Sequence, residues 1–452
     1  MKKNYLLFSF TFTLIVILIL FVGYFFTPVT IAGFTIKKWD ILSDIRPEKE
    51  ISAVSGNEQK TLPEATEEPC PQNITCIEEF TSDDSAMKHF YEILDSISRL
   101  DRPVRIGFFG DSFIEGDILT CDIREQLQKM YGGCGVGYVP ITSATAGFRR
   151  TVVHGFQNFE TVSLLNSNFD LGIAGFRFKA KEGAYVFYRG VDKPRLNYFQ
   201  TVRLLYQGGK YIFSSYSINN QKGIVPLSPD TSPGIHCINI RNDSIRSIAF
   251  SFSPGMVVYG VYLDCDKGIA VDNFSMRGHS GLNLRNISES NLRQTDDLLP
   301  YDLIVLQYGL NTAGTNTVNY EGYKKEMSAN VAHIKKSFPE ASIILMGVGD
   351  RSTRKEGEYV TMPGILNLIP VQQKIAEGSQ IAFWNTCNAM GGENSMPRFV
   401  AAQPPLAAKD YTHLSFDGGK VIATQFVNAL IYGKKQYDKK KAHSTRNVPE
   451  NK

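Results

Sequence analysis

The sequence predicts an α/β protein: a three-layer, doubly wound parallel sheet, interrupted by an inserted β-sandwich or jelly roll and preceded by an N-terminal transmembrane helix. Three observations carry this expectation. Short apolar runs alternate with helical patterns both near residue 100 and again after residue 300. Between 140 and 267 helical periodicity gives way to two-residue alternation. Residues Tyr5 to Phe26 form a nearly unbroken apolar run without a charge.

The α/β elements follow in order. In SDDSAMKHFYEILDSISRL, capping residues at Ser82 to Ser85 precede Met87, Phe90, Tyr91, Leu94 and Ile97 at helical spacing. VRIGFF, Val104 to Phe109, is a short apolar run before Gly110 and reads as a buried strand, with a helix from Asp117 to Tyr131 after it. GIAVDNFS, Gly268 to Ser275, supplies a second strand and DLIVLQYG, Asp302 to Gly309, a third. A helix from Tyr320 to Ser337, the strand SIILMGVG, a helix from Ile365 to Glu377, the strand IAFWN and a helix from Asp417 to Tyr432 complete the pattern. Strands alternating with helices of this length imply a parallel sheet covered on both faces.

SIAFSF sets Ile248, Phe250 and Phe252 against Ser247, Ala249 and Ser251, and VVYGVYL and TVRLLY are similar. A stretch this long is no loop. The expected organisation is therefore an anchor at 1–30, a polar stalk at 31–81, the α/β domain at 82–139 and 268–433, the β insert at 140–267, and a basic polar tail at 434–452. The insert's many Tyr and Phe residues are read as sandwich core before sugar-stacking surface.

The run Tyr5 to Phe26 exceeds the roughly 20 helical residues that cross a hydrocarbon core. An uncleaved anchor is favoured over a cleavable signal peptide, because the run is longer than the usual signal core of about 7 to 15 residues and lacks an obvious cleavage site. Lys2 and Lys3 would hold the N-terminus in the cytoplasm, placing the rest outside, at a cell surface or in a periplasm. Seven cysteines fit an oxidising compartment, with Cys70 and Cys76 the nearest pair and at least one thiol unpaired. A formal charge of +3 gives no electrostatic case for nucleic acid. The basic cluster Lys434 to Lys441 reads as a solvated end.

Candidate chemistry falls just past the C-terminal ends of the expected parallel strands, where open α/β sheets place their sites. Ser112, in IGFFGDSFIEGD, follows the first; RGHSGLN, Arg277 to Asn283, follows the second; Gly309-Leu310-Asn311 follows the third. Asp410 and His413, in DYTH, precede the last helix. Acyl transfer needs a hydroxyl, an imidazole to take its proton, a carboxylate to orient the imidazole, and donors for the oxyanion. Gly-Asp-Ser alone is turn chemistry and an isolated DxxH is weak. Their joint order and placement carry the reading.

At these residues the chain resembles the SGNH (GDSL) hydrolase superfamily, whose four blocks appear in sequence as Gly110-Asp111-Ser112, Gly281, Gly309-Leu310-Asn311 and Asp410 to His413. Gly281 rather than Gly278 is taken for the second block, and Thr312 stands where the family often has Asp. The resemblance implies a flavodoxin-like domain, Ser112, Asp410 and His413 as catalytic residues, and an oxyanion hole from Ser112, Gly281 and Asn311. With a long β insert and export, it narrows to peptidoglycan O-acetylesterases carrying a carbohydrate-binding-like module. The implied substrate is an acetylated polysaccharide, with no cofactor and no metal. The same acyl-enzyme could pass its acetyl group to a sugar hydroxyl, and a non-catalytic polysaccharide-binding protein is the reading from another class.

Overall fold

In the computed structural model, residues 70–81, 86–166, 170–209, 214–220 and 225–446 are described, together with residues 11, 12, 14, 29–31 and 34–36. The expected anchor therefore lies almost wholly outside the described residues. Among them no helix is long and apolar enough to cross a membrane. Residues 1–66 and 67–452 form separate units. In the first, Val29–Ile31 pairs with Phe34–Ile36 as an antiparallel hairpin.

The second unit is built on a parallel sheet whose strands in chain order are β1 (Val104–Gly110), β2 (Ile269–Ser275), β3 (Leu303–Gln307), β4 (Ser342–Met346) and β5 (Ala382–Trp384). Their spatial order is 2-1-3-4-5, and Glu78–Glu79 adds an antiparallel edge beside β5. Continuous apolar runs form the central strands because both faces are covered: β1, β3 and β4 are buried at every residue. Helices α1 (Lys88–Ser96), α2 (Thr120–Tyr131) and α6 (Phe416–Arg446) pack together, as do α3 (Glu289–Leu298), α4 (Glu321–Ser337) and α5 (Pro363–Ser379).

Three expectations need correction. The expected sandwich is one continuous nine-stranded antiparallel sheet. Its strand Phe176–Gly190 pairs along one edge with Val152–Ser163, and along the other first with Val257–Val258 and then with Ser247–Phe252. The hydrogen-bond ladder thus passes from layer to layer without a break, and bulges at Gln157/Phe159 and Val258/Gly260 supply the bends. Gly135–Val139, ahead of residue 140, already belongs to this sheet. The helix expected from Asp117 begins at Thr120, because Gly116 and Asp117 take φ values of 63° and 71° and hold a tight turn first.

The basic end is the third correction. Helix α6 runs on to Arg446, and Lys434 is nearly buried, its Nζ donating to Asp95 and Asp438 at 2.6 Å. Tyr437 packs on Tyr91 and donates to Glu92. Charge complementarity with α1, not solvation, orders this segment.

The insert and the parallel sheet share a buried ionic seam. Arg105 of β1 donates to Asp264 at 2.7 Å and to Asp272 of β2 at 2.8 Å, while Arg203 reaches Asp264 at 3.2 Å. Both carboxylates must be paired to be buried. Disulfides join Cys70 to Cys76 and Cys134 to Cys265. The second lies one residue before Gly135–Val139 and one after Val257–Asp264, so it clamps the base of the insert. Cys121, Cys237 and Cys387 are free thiols.

Candidate active site

The 2-1-3-4-5 order reverses direction between β1 and β3, and the loops leaving these strands open a crevice at their carboxyl ends. The chain after Gly110 turns at once, placing Ser112 half-buried at the crevice. Its loop is pinned from two sides. The Asn273 amide of β2 donates to the Ile114 carbonyl at 2.7 Å, and Asp117 accepts from Arg124 at 2.8 Å and from Thr151 at 2.7 Å.

On the other bank, the segment before α6 curls back on itself: Ala408 donates to the His413 carbonyl, and Ala407 bridges Leu414. This turn stacks Asp410 against the ring three residues later. His413 Nδ1 is 2.7 Å from Asp410 Oδ2, and His413 Nε2 is 3.1 Å from Ser112 Oγ. An ionised carboxylate only accepts, so Nδ1 carries the proton and Nε2 is left to accept from the serine hydroxyl. Asp410 Oδ1 also accepts the backbone N–H groups of Thr412 and His413. Partial burial pushes the Asp410 carboxyl up, but the His413 ring and these N–H groups outweigh it and hold the group below its ordinary value. Hydroxyl, imidazole and carboxylate from segments about 300 residues apart thus form one hydrogen-bonded line.

Of the expected oxyanion donors, Asn311 reaches this site directly: its amide donates to Asp111 Oδ2 and to the His279 carbonyl, both at 3.1 Å. Gly281 lies in the adjoining loop at φ 83°, and a Cβ there would come within 2.7 Å of the Tyr308 ring. Only glycine fits such a position. The backbone N–H groups of Ser112 and Gly281 have no backbone acceptor among the described residues.

Asp111 stands inside Gly110-Asp111-Ser112, a pattern that assigns it no role of its own. The structure buries it completely, with its carboxylate accepting from the Phe113 N–H at 2.9 Å and from Asn311. It is the hinge between the Ser112 loop and the Asn311 loop. The available signal was a carboxylate at the end of a strand that must be buried. Burial pushes this carboxyl up to about 7, against the opposing pull of the Phe113 N–H, His413 and Asn311.

Because the folded protein holds that proton more tightly than an unfolded carboxyl near 3.9, Asp111 lowers stability as pH rises from about 4 to about 7. The stability difference between Asp111→Asn and wild type should therefore drift by about 4 kcal/mol across this window, wild type losing relative stability with rising pH. Urea unfolding of both proteins from pH 3.5 to 8 measures it; a pH-independent difference would show that Asp111 ionises at its ordinary value.

The fold and this crevice define a doubly wound α/β protein with a serine–histidine–aspartate relay at the switch point of its parallel sheet. The chain is similar to a solved structure of a peptidoglycan O-acetylesterase, at a TM-score of 0.66 and 20% identity, covering 79% of this chain and 99% of that one. An acetyl xylan esterase matches at 16% identity over 36% of this chain and 81% of its own, with a TM-score of 0.27. A family two carbohydrate esterase from Cellvibrio japonicus matches at 10% identity over 62% and 99%, also with a TM-score of 0.27. No family model and no curated protein matches the sequence.

Proposed function

We propose that this protein is a serine esterase that removes O-acetyl groups from peptidoglycan or a similar envelope polysaccharide through an acyl-Ser112 intermediate. The relay from Ser112 Oγ through His413 to Asp410 carries the proposal. Its fold, shared across nearly the whole of a peptidoglycan O-acetylesterase structure, supports the substrate class.

In this scheme His413 Nε2 takes the Ser112 proton as Oγ bonds to the ester carbonyl carbon. Asp410 keeps the imidazole in the required tautomer and stabilises its protonated form. Collapse of the tetrahedral species breaks the carbonyl–alkoxide bond, and the sugar oxygen leaves with the proton held by His413. Water then gives His413 a proton and attacks the acetyl-serine, releasing acetate and restoring Ser112. The Ser112 and Gly281 backbone N–H groups, without backbone acceptors among the described residues, and the Asn311 amide face the charge on the tetrahedral oxygen. Asn311 shares one of its present bonds to do so. Asn311→Ala is expected to lower kcat by about 100- to 1,000-fold with little change in KM, read on a small aryl acetate.

Two disulfides support an oxidising compartment. The proposed location is extracytoplasmic, with the Tyr5 to Phe26 run as membrane anchor.

The deciding experiment supplies an O-acetylated glycan with and without an acceptor glycan, and follows free acetate and acetyl transfer beside Ser112→Ala. Acetate released by wild type alone supports the esterase. Label moving to the acceptor would make it a transferase, and glycan binding that survives Ser112→Ala without turnover by either protein would make it a binding protein.

A further inference from the structure

The carboxylate and imidazole of the relay are not fixed by core packing, since the Asp410 and His413 side chains are 50% and 45% exposed. Their aim at Ser112 depends instead on the backbone turn that carries them. Within that turn Tyr411 takes φ 56°, a left-handed conformation that a bulky residue keeps only where its surroundings impose it.

Those surroundings are a hairpin that follows β4. Its strands, Ser352–Lys355 and Glu358–Thr361, pair antiparallel around Glu356 and Gly357, which take φ values of 52° and 94°. The base of the hairpin is anchored in the domain: Thr361 donates through Oγ1 to the buried Asp350 at 2.8 Å and through its N–H to Asn394 at 2.9 Å. From this base Arg351 Nη1 donates to the carbonyl of Leu310, one residue before Asn311, at 3.2 Å. The Ser352 N–H donates to the Tyr411 carbonyl at 3.0 Å. The hairpin thus ties the Asn311 loop to the histidine turn. Its second strand adds another hold, because Tyr359 stacks on Tyr411 with ring centres 3.6 Å apart and planes 8° from parallel. Tyr359 remains 41% exposed, so its ring is no core filler; the face it covers is that of Tyr411.

We propose that Tyr359 is a positioning residue for the acyl transfer: its ring, laid on Tyr411, holds the Asp410–His413 turn in the conformation that aims His413 Nε2 at Ser112. This assignment rests on the esterase reading above and gives the hairpin a part in catalysis. Without the ring, Tyr411 is held to the hairpin by the Ser352 N–H and can leave the left-handed region, swinging the imidazole off the hydroxyl. Displacing a relay member by about 1 Å costs rate on the order of 100-fold. Substrate binding stays as it was, because Tyr359 acts only through the turn.

The test compares wild type, Tyr359→Ala and Tyr359→Phe on 4-nitrophenyl acetate and by ¹⁵N NMR of histidine-labelled protein, the His413 signals being those missing from His413→Gln. Tyr359→Ala should lower kcat about 10- to 100-fold with KM nearly unchanged, and Tyr359→Phe should restore kcat, since the stack needs the ring and not the hydroxyl. In wild type and Tyr359→Phe the neutral His413 ring should carry its proton on Nδ1, whereas in Tyr359→Ala the proton should shift toward Nε2 as the bond to Asp410 loosens. An unchanged kcat in Tyr359→Ala, an equal loss in Tyr359→Phe, or a raised KM at constant kcat overturns the positioning role and leaves the esterase intact. If wild type hydrolyses no ester, the esterase reading fails and the tautomer decides alone. A shift confined to Tyr359→Ala upholds the hold on the turn, and the same tautomer in all three proteins overturns it.

Discussion

Ser112→Ala is expected to reduce acetate release by a factor on the order of 10⁵ to 10⁶, to the level left by the oxyanion donors and substrate binding. The size follows from the hydroxyl's place at the head of the relay, 3.1 Å from His413 Nε2: without it neither the imidazole nor the carboxylate has a proton to move. His413→Ala should cost nearly as much, and the double variant little more than either, because the groups act as one unit. Ser112 is only half-buried and its loop is fixed by Asn273 and Arg124, so thermal unfolding of Ser112→Ala should match wild type closely. Mass spectrometry of wild type quenched during turnover should show an added acetyl group on the peptide holding Ser112. Full activity in Ser112→Ala would sink the mechanism outright.

The second large effect belongs to Asp410→Asn, expected to lower kcat by about 10³ to 10⁴ with KM nearly unchanged. An amide nitrogen facing Nδ1 favours the tautomer protonated at Nε2, which cannot accept the serine proton. Steric change is minimal, since Asn retains an oxygen to accept the Thr412 and His413 N–H groups that Asp410 Oδ1 now accepts. Asp410→Ala removes that turn as well and should also lower thermal stability. Steady-state kinetics on 4-nitrophenyl acetate separate the two variants. A loss below tenfold in Asp410→Asn would mean that the carboxylate does not set the imidazole tautomer.

Both effects concern residues that could be picked out before any fold was known. Gly110-Asp111-Ser112 and Asp410 to His413 are local patterns, and their placement at strand ends follows from the apolar runs that precede or flank them. Asp111 shows where such reading stops. Its place in the tripeptide was visible, yet its work depends on an amide 200 residues away and on burial that neither pattern records. The contact of the insert with the His413 side of the crevice is of the same kind. Arg150 lies 3.9 Å from the centre of the Phe416 ring and Phe148 packs on that ring at 5.1 Å, although nothing in GFRR signals a partner.

The parallel-strand pattern, the presence of a β-rich insert, and the order of the serine, glycine, asparagine and aspartate–histidine blocks are all legible along the chain. These are written in hydrophobic periodicity and short-range spacing, which depend on residues only a few positions apart. That the insert is a single bent sheet, that Cys134 pairs with Cys265, that the basic end is a helix docked on α1, and that Asp111 is buried beside Ser112 became visible only in the folded chain. Each of these turns on which distant groups share a desolvated volume. There the cost of burying an unpaired charge or polar atom chooses the partners, and that cost exists only once the chain has closed around them.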